Sequence, residues 1–127
     1  MNTAIAQPLR IELPPTFWSA RTARYEVAGA LAAWKWDGRS EAAQLLVSEL
    51  VTNAVEHAAT AVEVVMSATE STLRLEVRDS GGGQPVRREI SPGDPSGRGL
   101  NIVAFLAYEW GVAVEPGCTT VWCTLSR

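Results

Sequence analysis

Eleven residues, Ser48 to Ala58 (SELVTNAVEHA), do most to limit what this chain can fold into. At about 100° per residue, Leu46, Val47, Leu50, Val51, Ala54, Val55 and Ala58 fill a broad apolar arc of a helix, which must be buried against a second layer. Glu49, Asn53 and His57 recur every fourth residue and form a narrow strip along the border of that arc. Two readings fit the strip. It is the solvated polar side of an ordinary amphipathic helix, or it looks into a partly covered cleft where an acid, an amide and an imidazole meet a ligand.

The flanking sequence supplies the second layer. Leu9 to Leu13 alternates apolar and polar residues and is closed by Pro14 and Pro15, which predicts an edge strand. From Thr16, a candidate cap, to Trp34 the period turns helical, with Phe17, Ala20, Ala23, Val27, Ala30, Leu31 and Trp34 on one side and Arg21 and Arg24 on the polar side. Asp37 and Gly38 break this pattern, and the second helix runs from about Ser40 to Ala59. The period then becomes two. Val62, Val64 and Met66, then Leu73, Leu75 and Val77 after the turn residues Glu70 to Thr72, predict two antiparallel strands. Val86 to Ser96 has no clear period and reads as a mobile loop. Ser96 to Ala107 reads as a glycine-led third helix, and Trp110 to Val114 and Thr119 to Leu125 as strands around Glu115-Pro116-Gly117. The expected fold is α+β: a two-layer α/β sandwich, mainly antiparallel, with helices on one face and residues 1–127 forming one domain.

Composition narrows the function classes. A net charge of −3, with no Lys or Arg cluster, leaves no electrostatic footprint for nucleic acid or anionic lipid. No basic segment leads into an apolar core at the N-terminus and no stretch approaches a membrane span, so the expected compartment is cytoplasmic. Cys118 and Cys123 fall in one extended segment, too far apart to bond to each other, and read as reduced, structural thiols. With one histidine and two cysteines, a protein-only transition-metal site is not expected.

Two further motifs bear on chemistry. Asp79 ends a strand ahead of Gly81, Gly82 and Gly83, where backbone can approach a ligand closely and a carboxylate can accept a hydrogen bond from an amino group such as that of adenine. Gly97 and Gly99, beside Arg98, open a helix whose free N–H groups favour phosphate oxygens. Each motif alone also reads as a plain turn. In order, a polar helix strip, an Asp-Gly strand end, a connector and a glycine-led helix describe a nucleotide pocket with a lid.

The series ExxxNxxxH, DxGxG and GxGL resembles the N, G1 and G2 boxes of the histidine-kinase-like ATPases, with their Bergerat sandwich fold. SELVTNAVEHA, the short connector, SGRGLNIV and the final TVW are similar to the stand-alone anti-sigma-factor serine/threonine kinases of bacteria. The resemblance implies that ATP and Mg²⁺ are the cofactors, with Asn53 as the magnesium ligand, Asp79 as the adenine contact and Glu49 as the general base for phosphoryl transfer. It places His57 near the phosphates or the pocket rim, Gly81 and Gly83 in G1, Gly97, Arg98, Gly99 and Leu100 around G2, and Thr120 at the floor of the nucleotide site. It implies as partners a sigma factor and an anti-sigma-factor antagonist, the latter as phosphorylation substrate, and a homodimer. The chain departs from the related pattern GGKTVW at Cys118, which stands in place of a glycine. The connector from Gln84 to Ser96 has no lysine, so a cationic contribution to the phosphates falls to Arg87, Arg88 or Arg98. The alternative reading is a nucleotide-dependent binding module that sequesters a partner with little or no kinase activity.

Overall fold

The computed structural model describes residues 3–57, 60–79, 102, 103 and 105–127, with the side chain of His57 outside that set. Strand β1 (Leu9–Leu13) is followed by α1 (Trp18–Ala33), a 3₁₀ turn (Asp37–Arg39) and α2 (Ser40–His57). Then come β2 (Val62–Ala68), β3 (Thr72–Asp79), β4 (Glu109–Glu115) and β5 (Cys118–Ser126). The strands form one sheet in the order β1-β2-β3-β5-β4, every pair antiparallel. The expected α+β sandwich is therefore present, with β1 and β4 at its edges.

The pleat sorts the residues as the period-two pattern requires. Val62, Val64 and Met66 on β2, Leu73, Leu75 and Val77 on β3, and Val121, Cys123 and Leu125 on β5 share one buried face with Ala23, Val27 and Leu31 of α1 and the apolar arc of α2. Val103 is buried in the same core, and residues 102, 103, 105 and 106 are helical. The remainder of the third helix predicted over 96–107, and the loop predicted over 86–96, lie outside the described residues. Among the described residues no helix is long and apolar enough to cross a membrane.

Helix α1 starts later than the capping pattern predicts. Thr16 folds into a turn in which its N–H bonds to Pro14 O at 2.8 Å and its carbonyl accepts from Ser19 N at 3.0 Å. Phe17 becomes the N-cap without a side-chain cap bond and is 65% exposed rather than buried. At its other end α1 closes with a Schellman motif: Trp36 N donates to Leu31 O at 2.8 Å and Lys35 N to Ala32 O at 3.3 Å. Trp36 is thereby buried, and its indole N–H reaches Thr69 O at 3.1 Å. Arg127 stacks over its ring at 4.7 Å and donates to the carbonyls of Lys35 and Glu70, tying the corner after α1 to the β2–β3 turn.

The face of the sheet away from the helices carries a charge ladder rather than a core. Arg78 lies 3.3 Å from Glu63 and 3.5 Å from Glu76, and Arg74 lies 3.2 Å from Glu76 while stacking over Trp122 at 4.5 Å. Gly111 on β4 makes room for that indole, since a Cβ there would stand 2.8 Å from Trp122 Cζ2.

Candidate active site

On α2, Ala43, Leu46, Val47, Leu50, Val51, Ala54 and Val55 are buried, and Glu49 and Asn53 are half-buried at the border of their arc. Among the described residues, neither side chain has a hydrogen-bond or ion-pair partner. Among the described residues the one buried side-chain polar atom without a partner is Arg39 Nε, so the polar atoms of Glu49 and Asn53 stay open to water or to a ligand at the border of the core.

Connectivity brings Asp79 to the same end of the molecule. Residues 58–61 alone join α2 to β2, a link of at most about 18 Å from His57 to Val62. Val62 then pairs directly with Asp79 across the sheet. Asp79 shares parity with Leu73, Leu75 and Val77, so its side chain leaves the strand toward the helix layer. The C-terminal end of α2, with Asn53 one turn before it, and the carboxylate that ends β3 therefore converge at one end of the sheet, on the helix side.

Thr120 is not part of this convergence. It pairs with Arg78 and shares the outer face with Cys118, whose Sγ lies 4.0 Å from its hydroxyl oxygen. The threonine that the register sets beside Asp79 on the helix side is Thr119. Of the Thr-Thr pair it is therefore Thr119, one pleat before Thr120, that shares a face with Asp79. Gly81, Gly83, Gly97, Arg98, Gly99 and Leu100, with Arg87 and Arg88, lie outside the described residues, as does the side chain of His57.

Among the described residues no three His, Cys, Asp or Glu side chains converge into a protein-only metal cage. The donor chemistry fits magnesium all the same. Mg²⁺ takes one or two protein oxygens and completes its octahedron with phosphate oxygens and water, and the half-buried amide of Asn53 offers one such oxygen. A groove of about 420 Å³ lined by Glu12, Thr60, Ala61, Glu63, Arg78 and Cys118 opens on the outer face, so it serves neither Asn53 nor the helix-side carboxylate.

Comparison with known proteins bears on the family and the fold. No curated protein matches the chain. A solved structure, the RsbU and RsbW domains of Rv1364c from Mycobacterium tuberculosis, superposes with a TM-score of 0.73 at 29% sequence identity, covering 96% of this chain. The chain spans 33% of the length of that structure. The family description "histidine kinase-like ATPase domain" matches residues 13–125, from the end of β1 to the last strand. The chain belongs to the histidine kinase-like ATPase domain family.

Proposed function

We propose that this chain is an ATP-dependent serine/threonine protein kinase that acts as an anti-sigma factor, phosphorylating an anti-sigma-factor antagonist and sequestering a sigma factor. The observation that carries the reading is Glu49 and Asn53, half-buried and without a protein partner among the described residues, on the helix whose C-terminal end meets the sheet where Asp79 emerges. The similarity to a structure containing an RsbW domain supports the same reading. Asn53 holds the magnesium, Asp79 the adenine amino group, Gly81 and Gly83 let the backbone approach the nucleotide beside Asp79, and Gly97 and Gly99 favour the phosphates. Bound magnesium supplies charge neutralisation to the transferring phosphoryl group.

Glu49 acts one helical turn before Asn53. Phosphoryl transfer asks little covalent chemistry of the protein beyond positioning the acceptor hydroxyl and receiving its proton. A carboxylate without a partner among the described residues, one turn from the metal ligand, is placed for both. Phosphorylation of the antagonist adds negative charge where it docks and weakens that complex, releasing the kinase to bind the sigma factor. The protein works as two copies.

Affinity capture with and without Mg-ATP, followed by mass spectrometry of the retained proteins and their phosphoserine and phosphothreonine sites, tests binding and transfer together. With a captured substrate in hand, Glu49→Ala is expected to keep Mg-ATP binding by calorimetry and to lose transfer by about 10²-fold or more. Equal transfer by that variant removes Glu49 as the base. Binding of Mg-ATP with no transfer to any captured protein supports a sequestering module instead.

A further inference from the structure

Arg78 and Asp79 are neighbours at the end of β3 and leave the strand on opposite faces, Arg78 outward and Asp79 toward the helix layer. The Arg78 guanidinium spans two strands with its two terminal nitrogens. Nη1 lies 3.3 Å from Glu63 Oε1 on β2, and Nη2 lies 3.5 Å from Glu76 Oε2 on β3. We propose that Arg78 is a positioning residue for the candidate site: from the outer face it holds the last pleat of β3 against β2, and so fixes where the Asp79 carboxylate stands on the other face. This inference rests on the nucleotide reading above, in which Asp79 meets the adenine amino group, and adds to it a residue that does not touch the nucleotide.

The register puts Arg78 where it can do this. Val62 with Asp79 is the final rung of the β2–β3 ladder, and Glu63 with Arg78 is the rung before it. Strand ends open most easily, so the rung next to the end decides how well the end is held. Hydrogen bonds weaken steeply as distance and angle leave their optimum, and an acceptor on a side chain as short as aspartate carries any movement of its strand into the bond it makes.

The charges around Arg78 raise what its loss would do. Glu63 lies directly opposite Glu12 on β1, a like-charge cross-strand pair that is unfavourable. Glu76, only 19% exposed, stands on the same face two residues before Arg78. Among the described residues no other cation pairs with Glu63, whereas Glu76 also has Arg74 at 3.2 Å. Without the guanidinium, Glu63 is left between Glu12 and Glu76 at the rung that adjoins Asp79. A lysine at this position keeps the charge but lacks the planar fork that reaches both carboxylates at once.

The test compares two nucleotides that differ only where Asp79 is proposed to act. Calorimetry gives dissociation constants for ATP and for purine riboside triphosphate, which is ATP without its 6-amino group, each with magnesium. The unmodified chain is expected to prefer ATP. In Arg78→Met that preference falls by about two- to fivefold, the size that partly exposed ion pairs support, because ATP binding weakens and analogue binding stays the same. Arg78→Lys lies between the two. Circular dichroism checks folding, and should Arg78→Met fail to fold, Glu63→Gln removes one of the two contacts from the neighbouring strand and is expected to lower the preference in the same direction. A preference in Arg78→Met and Glu63→Gln equal to that of the unmodified chain, or a loss of affinity that is the same for both nucleotides, overturns the positioning role and leaves the nucleotide reading standing. An unmodified chain that binds neither nucleotide, or binds both equally, overturns the role assigned to Asp79 and this inference with it.

Discussion

Cys118 and Cys123 stand five positions apart on one strand and face opposite ways. Cys123 is fully buried on the helix side, and Cys118 is half-buried on the outer side beside Thr120. Both are free thiols, and an extended strand gives them no geometry for a shared bond. Burial pushes the Cys123 thiol up from 9.0 to about 12, with the Arg74 guanidinium opposing the rise. The unfolded chain gives up this proton near pH 9 while the folded chain holds it to about 12, so the folded state carries more protons between the two. Stability is complete below pH 9 and declines as pH rises toward 12, by at most about 1.4 kcal/mol per unit. Cys123→Ala should flatten that decline in urea melts between pH 9 and 11, whatever offset its cavity adds. Iodoacetamide at pH 8 should label Cys118 in the native protein and reach Cys123 only after denaturant is added.

At the scale of elements, the end of α1 holds a local compromise. Lys35 adopts a left-handed backbone with φ 58°, the position a Schellman motif ordinarily gives to glycine. For a residue with a Cβ this conformation costs about 1 kcal/mol or more, and Lys35 persists there because Trp36 must be delivered into the core. Lys35→Gly should raise the unfolding free energy by about 1 kcal/mol in chemical denaturation, since the bonds at the helix end are backbone bonds. The α2 helix, by contrast, was readable from sequence because its period, its apolar arc and its polar strip are all local. The alternation that marks β2, β3 and β5 is local too. What the sequence withheld is register. Only the pairing of β3 with β5 tells which threonine of Thr119-Thr120 stands beside Asp79, and a one-residue shift moves a side chain to the other face. The start of α1 was obscured likewise, because the turn that displaces Thr16 as cap depends on Pro14 O accepting from both Thr16 N and the Ser19 hydroxyl.

For the whole molecule, the candidate site and the fold are coupled by where the site sits. Asp79 ends the strand between β2 and β5, while Asn53 rides on the helix that supplies much of the buried face. A ligand that bridges the two ties the helix layer to the sheet, and it binds the folded chain alone. Folding stability must then rise with ligand concentration, by about 2.7 kcal/mol when free ligand reaches 100 times its dissociation constant. Mg-ATP should therefore raise the unfolding midpoint of the unmodified chain in a concentration-dependent way. Asn53→Ala should lose that increment because one metal ligand is gone. Asp79→Asn should lose it because an amide no longer offers a charged acceptor to the adenine amino group. Asp79 has interactions of its own in the folded chain, so its replacement shifts the starting midpoint as well. The quantity to compare is thus the rise on adding nucleotide, variant by variant, in differential scanning fluorimetry with ATP, magnesium alone and ATP with chelator as parallel titrations. A full rise with Asp79→Asn would move adenine recognition away from the end of β3, and a full rise with Asn53→Ala would move the metal off α2.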